Sequence, residues 1–446
     1  MSEALALAAP GALVSPVSLL DAPRRWLAAA PAPLFALYAG LMAFGTYFAM
    51  YAFRRPFAAA SYAGVAPVGV DYKTALVIAQ VAGYAIAKLI GVRVIAQLPP
   101  RLRVLGIALQ IALAEVALVG FGLIPAPWNI ACLFLDGLAL GMVWGMVFGF
   151  VEGRRQSDLI GAMLCASFIL SSGVVKSVGE SVLLSHTAGQ FWMPAVTGLI
   201  FTPLLLVCLL GLSILPPPSP RDIAERVERK PMDAAARAKL LAHYAPGLAC
   251  LIAVYVALTA LRDFRDNFAA EIWNEVGLGG RADIFTWTEL PISVVVLGVL
   301  AALTVLRNNR LALSLYMALM GLGLAVAGLA SLAYLAHWLG PVAWMIALGG
   351  GLYLAYTPYN AMLFDRLIAA GGSVGNAGFL IYVADSSGYL GSVALVVVRS
   401  LSTVKLPWVR FLIDASLITS LGGLALLGWA ALYFRRRLPA IRECQP

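Results

Sequence analysis

Arg54 and Arg262 offer the most chemistry in this chain. Each closes a long apolar run, Arg54 in "YFAMYAFRRPF" (47–57) and Arg262 in "YVALTALRDFRDNF" (255–268). A guanidinium presents a planar fork of N–H donors that grips a phosphate or carboxylate through two parallel hydrogen bonds. Lys88, in "GYAIAKLIG" (83–91), supplies a third cation. Ionisable side chains inside apolar spans are costly and mark pathways and binding sites. With the hydroxyls of Tyr47, Tyr51 and Tyr356, the three cations describe a site for a small organic anion. Taken alone, Arg54 reads as a side chain snorkelling to an interface, and Lys88 as one snorkelling inward, since Arg93 follows within two turns. Arg55 fits the snorkelling reading, since Pro56 ends the regular helix beside it.

A second group of residues suits ion coupling. Lys176 and Glu180 stand four apart, on one helix face, where an internal salt bridge is the simplest expectation. Glu289 and Asp385 lie inside apolar runs, as do Glu115, Asp136 and Asp414. Such acids either carry protons or pair with Lys88, Arg262 or backbone groups. Asp263 and Asp266, interleaved with Arg262 and Arg265, suggest a charge network at one end of the helices. Gly137, Gly141, Gly145 and Gly149 recur every four residues, a stripe that lets one helix approach a neighbour closely. By this reasoning alanine is tolerated in the stripe better than leucine.

The elements that position these residues follow from composition. Of 446 residues, 61% are hydrophobic and only 12% charged, and the mean hydropathy is +0.89. A soluble domain carries about 25% charge, so this chain belongs in a lipid bilayer. Twelve apolar runs are long enough to span it as helices: 33–55, 73–95, 103–123, 128–151, 158–184, 190–214, 245–264, 282–306, 311–336, 340–364, 375–399 and 408–434. Residues 215–244 form the one long break and divide the runs into two sets of six. The expected organisation is a tail (1–32), a first six-helix bundle (33–214), a linker (215–244), a second bundle (245–434) and a closing tail (435–446). "AYTPYN" (355–360) is expected to break the tenth span.

Charge distribution orients the chain. With the N-terminus inside, 20 of the 31 Lys and Arg residues fall on the inner side, the bias expected of cytoplasmic segments. Both tails and the linker are therefore expected in the cytoplasm of a bacterial cell, across its inner membrane, with the first tail mobile. The net charge of +9 is explained without nucleic acid. The five cysteines show no CxxC spacing and the three histidines no HExxH, so no metal or disulfide is expected. No phosphate-binding GxxxxGK[ST] occurs, and no nucleophile–base pair stands out, so neither a cofactor nor an enzyme is read here.

The halves repeat each other. Arg262 follows Arg54 by 208 residues (262 − 54), as Arg281 follows Lys73 (281 − 73). "SSGVVKSV" from Ser171 returns as "SSGYLGSV" from Ser386. Six helices repeated in parallel, with a site at the midplane between halves, is the pattern of the major facilitator fold: an all-α polytopic membrane protein of twelve transmembrane helices in two pseudo-symmetric bundles. "GTYFAMYAFRRPFAAA" followed by "GYAIAKLIG" resembles the first two helices of the organophosphate:phosphate antiporters, the glycerol-phosphate and hexose-phosphate carriers. Arg262 matches that family's second essential arginine. "WTELP" with Glu289 resembles a family glutamate, and "NAGFLIYVADSSGYLGS" the family's glycine-rich eleventh helix. The chain departs from the family after its second span, which reads "VRVIAQLPPRLR", and at Ser167, where those antiporters carry a histidine.

The resemblance implies a monomeric secondary transporter that moves phosphate or a phosphate ester by alternating access. Two other readings are open: a proton-coupled carrier of a neutral or cationic solute, using Glu289, Asp385 or Glu180, and a sugar-phosphate receptor that does not transport.

Overall fold

Apolar sequence and helix-starting prolines dictate the elements. The computed structural model describes residues 21–151, 157–217, 234–303, 306, 308–371, 377–402 and 406–438. Within them run α1 (Asp21–Ala29), α2 (Ala32–Arg54), α3 (Tyr72–Gln97), α4 (Pro100–Leu123), α5 (Ile130–Leu140), α6 (Val143–Val151), α7 (Ser157–Leu184) and α8 (Met193–Ser213). The second half holds α9 (Ala234–Asn267), α10 (Ala269–Glu275), α11 (Asp283–Leu303), α12 (Asn309–Leu335), α13 (Pro341–Ala361), α14 (Leu363–Ala370), α15 (Ala377–Leu401) and α16 (Trp408–Arg437). Ten of these segments, with α5 and α6 as one, are long and apolar enough to cross a bilayer. α13 and α15, of 21 and 25 residues, are also of spanning length. The outward surface is greasy: Leu109, Leu113 and Val116 on α4 and Leu206, Val207 and Leu210 on α8 are all exposed, as lipid contact requires.

Local chemistry sets the ends. Pro31 and Pro99 precede α2 and α4, and their ring geometry suits a helix start. Asp71 caps α3 by accepting from the Thr74 backbone N–H at 3.2 Å. At the far end of α2, Pro56 lacks an N–H and starts a single 3-10 turn (Pro56–Ala59). The fourth span breaks at Gly141 into α5 and α6. The tenth breaks at Met362, four residues after Pro358.

Two expectations about the tails need correction. The chain before the first span is not free where described: α1 docks, with Leu27 buried and the Arg24 guanidinium donating to the Ser213 carbonyl at 2.8 Å. The seventh-span helix begins at Ala234 and takes in the last eleven residues of the expected linker (234–244). Residues 1–20, 218–233 and 439–446 of the expected tails and linker lie outside the described residues.

The halves meet along two pairs of helices, α3 with α15 and α7 with α11. The 208-residue repeat relates α3 to α11, so the two contacts are symmetry equivalents. Their packing differs. On α7, Gly173 lies so close to α11 that a Cβ there would stand 2.5 Å from the Phe285 carbonyl. The α3–α15 contact instead holds the rings of Tyr84 and Tyr389, 5.5 Å apart.

Candidate functional site

The site begins where α2 ends and α9 ends, the two repeat-related positions. Six cationic side chains are buried among the described residues: Arg54, Arg55, Lys73, Lys176, Arg262 and Arg265. Five meet a carboxylate. Arg55 reaches Asp266 at 3.1 Å and Asp263 at 3.7 Å and donates to the Asn267 side-chain oxygen at 2.5 Å. Lys176 pairs with Asp266, which also accepts from Ser172. Lys73 donates to both oxygens of Glu271, at 2.7 and 2.8 Å, and to the Ala58 carbonyl at 2.9 Å. Arg265 pairs with Glu289 at 2.7 Å and Arg262 with Asp263 at 2.8 Å. Burial holds the Glu271 carboxyl above the ordinary carboxylate range, and Lys73 opposes that shift.

Most of these bonds cross between halves. Arg55, Lys73 and Lys176 come from the first half, and Asp263, Asp266 and Glu271 from the second. Ser177 and Thr286 add a hydroxyl pair at 2.6 Å. Breaking a buried pair by removing one partner costs about 3–5 kcal/mol, so this end of the bundle is latched shut. A cleft of about 190 Å³ remains above the latch, lined by Ala60, Glu180, Trp273, Arg281 and Phe285 among others.

Arg54 is the exception. Its guanidinium is buried, has no carboxylate within ion-pair distance among the described residues, and leaves Nε without a hydrogen-bond partner. It lies 3.8 Å over the Tyr84 ring and 5.7 Å from that of Tyr51. Cation–π contact contributes about 0.5–2 kcal/mol, less than a buried charge costs in desolvation.

A relay of rings and charges leads from Arg54 to Arg262. Tyr84 touches Tyr389, and the Lys88 ammonium lies over both rings, at 5.4 and 5.1 Å. Lys88 pairs with Asp385 of the other half at 2.5 Å. The Tyr255 hydroxyl donates to the same Asp385 and shares a hydrogen bond of 3.1 Å with the Tyr356 hydroxyl, which can supply its proton. Arg262 covers the Tyr356 ring at 4.0 Å. The arrangement can present two guanidiniums and an ammonium to one anion, provided the relay opens.

The sequence model for a family of unknown function, DUF5690, matches residues 56–437. The chain belongs to the DUF5690 family. A search of curated proteins finds no match. Among solved structures, a peptide transporter POT in complex with alafosfalin is 15% identical with a TM-score of 0.58, covering 94% of this chain and 99% of that one. The nucleoside transporter NupG is 12% identical with a TM-score of 0.56, covering 91% and 100%. A bacterial homologue of the human lysosomal transporter Spinster, inward-facing and unoccupied, is 13% identical with a TM-score of 0.56, covering 94% and 99%. The major facilitator fold expected from the repeats is the fold of this DUF5690 chain.

The structure joins Arg54, Lys88 and Arg262 through one relay, with Tyr51 and Tyr356 in contact with it. Tyr47 is buried and packs edge-on against Tyr51, rings 5.4 Å apart. Tyrosine rings fill the space between the cations. The expected Lys176–Glu180 bridge does not form. Lys176 turns across to Asp266, and Glu180 lines the distal cleft. Glu289 belongs to the Arg265 pair and Asp385 to Lys88. Asp414 pairs with Arg410 on the surface at 3.0 Å. Arg55 does not snorkel. It is buried at the centre of the latch, and the sequence held a signal for this: the residue in its repeat position is Asp263, the opposite charge.

The glycine stripe faces two neighbours. A Cβ on Gly137 or Gly141 would strike the α3 backbone, for Gly141 at 2.6 Å from the Tyr84 carbonyl. One on Gly145 would meet only the end of Ile95, and one on Gly149 the Arg103 guanidinium. The stripe thus presses α5 against the back of the helix that carries Tyr84 and Lys88. Gln80, Tyr84, Tyr255 and Tyr389 were not read from sequence, because tyrosine and glutamine in an apolar run carry no signal distinguishing a site from packing.

Proposed function

We propose that this chain is a secondary transporter for a small organic anion, a phosphate ester or phosphate, working by alternating access. The observation that carries the reading is Arg54: of six buried cations, it alone lacks a carboxylate among the described residues. A bilayer-embedded guanidinium needs a counter-charge, and a substrate anion supplies it. The likeness of fold to peptide and nucleoside transporters supports transport over catalysis, and the absence of any enzyme among the neighbours named above agrees with it.

In this reading the latch faces the outside of the cell membrane and the linker the cytoplasm, as the Lys/Arg bias implies. An anion entering the relay meets Arg54 first, then draws Lys88 from Asp385 and Arg262 from Asp263. The first exchange loosens a cross-half bond while the anion bridges the halves itself, which lowers the barrier to changing the open side. Arg54, Lys88, Arg262, Tyr51 and Tyr356 bind substrate, while Lys176, Glu289 and Asp385 hold the charge network and Glu180 lines the entry cleft.

The test is flux into liposomes holding the purified protein, with labelled inorganic phosphate, glycerol 3-phosphate, hexose phosphates and dicarboxylates, each run against a peptide and a nucleoside. Uptake of a phosphate or phosphate ester that is lost in Arg54→Ala is the expected result. Uptake of the neutral solutes alone would overturn the anion reading, and saturable binding without flux would favour a receptor.

A further inference from the structure

The first half contains an unpaired acid to match its unpaired cation. Of the buried acids described, Asp263, Asp266, Glu289 and Asp385 each pair with a cation. Asp136, on α5, does not. Its side chain is 0% exposed, and among the described residues its only hydrogen bond is to Oδ2, from the Gln80 amide at 2.7 Å. Oδ1 is buried with no partner. The same Gln80 amide nitrogen donates at 2.8 Å to the backbone carbonyl of Arg54. One amide therefore connects the acid to the residue whose guanidinium has no counter-ion.

The surroundings of Asp136 are sparse in charge. The α2 helix offers Arg54 and α4 offers Glu115, both within electrostatic reach. The α3 helix offers Gln80 and Tyr84, neither ionised at neutral pH by intrinsic chemistry. Glu115 has both oxygens unpartnered and packs beside Gly198 of α8. A carboxylate with one neutral hydrogen bond, a second acid nearby and no exposure to bulk solvent is costly to keep ionised. A carboxylic acid in the same place needs only the bond it has, and Oδ1 is free to carry the proton.

We propose that Asp136 is the proton-carrying site of the transporter and that it takes turns with the substrate anion as the counter-ion of Arg54. This deepens the anion reading above and rests on it. The geometry described here, with Asp136 unpaired, is that of the loaded carrier: Asp136 carries the proton and the anion neutralises Arg54. When the anion leaves, the Asp136 O–H bond breaks, the proton passes to water as hydronium, and the carboxylate left behind neutralises Arg54. Reloading reverses the step: hydronium gives its proton to the carboxylate, and Arg54 is freed for the next anion. One proton thus travels with each anion, and the empty carrier never crosses with a bare buried cation.

Two measurements on the full chain in lipid decide this. The first needs no substrate: infrared titration of wild type, Asp136→Asn, Glu115→Gln and Arg54→Gln. A protonated-carboxyl stretch is expected near neutral pH that is missing in Asp136→Asn, remains in Glu115→Gln, and titrates about one unit or more higher in Arg54→Gln, where the attracting charge is gone. A band lost with Glu115 and kept in Asp136→Asn overturns the assignment. A midpoint unmoved by Arg54→Gln overturns the pairing. Asp136→Asn is nearly isosteric, and Glu115→Gln checks the same bundle if it misfolds. The second is calorimetry of inorganic phosphate and glycerol 3-phosphate binding in buffers of different ionisation enthalpy. Binding to wild type at a pH where Asp136 is partly ionised should take up more protons than binding to Asp136→Asn, the phosphate's own ionisation being common to both. Equal proton uptake in the two overturns the coupling. If neither probe nor any carboxylate binds wild type, the anion reading falls and the coupling with it. The infrared titration tells that failure apart from a failure of Asp136.

Discussion

Arg54 and Arg262 hold equivalent places in the two halves yet meet opposite surroundings. Arg262 is followed by Asp263, which accepts from its guanidinium at 2.8 Å. Arg54 is followed by Arg55, which repels it and turns to the other half, towards Asp263 and Asp266. The repeat thus conserves backbone position and inverts the neighbouring charge. Across the latch the first half supplies cations and the second half acids, so the two fit as identical halves could not. The symmetry-related contacts differ likewise: α7 and α11 touch almost backbone to backbone at Gly173, while α3 and α15 meet through tyrosines and the Lys88–Asp385 pair. A smooth contact opposite a polar one suits a molecule that rocks about the first and makes and breaks bonds at the second.

The largest effect expected from breaking this asymmetry is at Arg54. Arg54→Ala should abolish anion uptake, and Arg54→Lys should weaken binding roughly tenfold or more, since one charge-assisted bond is worth about 1.5–3 kcal/mol. Arg262→Ala should do less harm, because Asp263 keeps Arg55 and Ser392. Uptake kinetics in liposomes compare the three. Equal loss at both arginines would show that their different surroundings do not matter.

Next come the latch pairs. Lys73→Glu or Glu271→Lys alone should destabilise the protein by about 3–5 kcal/mol, read as a lower melting temperature in detergent. The double exchange should recover much of that, but not all, because the Ala58 carbonyl now faces an acid. No recovery would mean that Lys73 and Glu271 act separately.

A smaller contrast lies within the glycine stripe. Gly141→Ala should impair folding nearly as much as Gly141→Leu, since even a Cβ meets the Tyr84 carbonyl, whereas Gly145→Ala should be mild, with Ile95 yielding. This sharpens the simple rule that alanine is milder than leucine in the stripe. Expression yield and monodispersity measure it.

The smallest effect is pH dependence at Glu271. Its carboxyl titrates higher in the latched state than it would in water, so latching takes up protons. Lowering the pH through the window just above the ordinary carboxylate range should therefore favour the latched state, by the sign of that shift. A cysteine placed at Ala60 should then react more slowly with a hydrophilic maleimide. Faster labelling on acidification, or no change relative to Glu271→Gln, would remove Glu271 from the latch equilibrium.

Much of this was legible in sequence. Span ends such as 33–55 against Ala32–Arg54, or 158–184 against Ser157–Leu184, agree within a residue or so, because apolar length and proline act locally. The end-of-helix network of Asp263 and Asp266 was legible too, since alternating charges so close in sequence must share an environment. Arg55 and Lys176 were misread because their partners are 208 to 212 and 90 residues away, on the other half. An i,i+4 spacing such as Lys176–Glu180 is then only one of two offers to the same ammonium.

By itself the sequence determined what a bilayer demands of it: twelve apolar runs, the twofold repeat, and the expense of every ionisable group left inside. Those follow from composition and period, which need no neighbour. Only the tertiary structure decided which buried charges are already neutralised. Counter-charge acts through space over a few ångströms, and the residues that supply it here, Asp266 to Arg55, Glu271 to Lys73 and Asp385 to Lys88, come from the opposite half of the chain. Until the halves were packed together, Arg54 and Asp136 looked like any other ions in an apolar run; among the described residues, packing left Arg54 with no carboxylate and Asp136 with no cation in ion-pair distance.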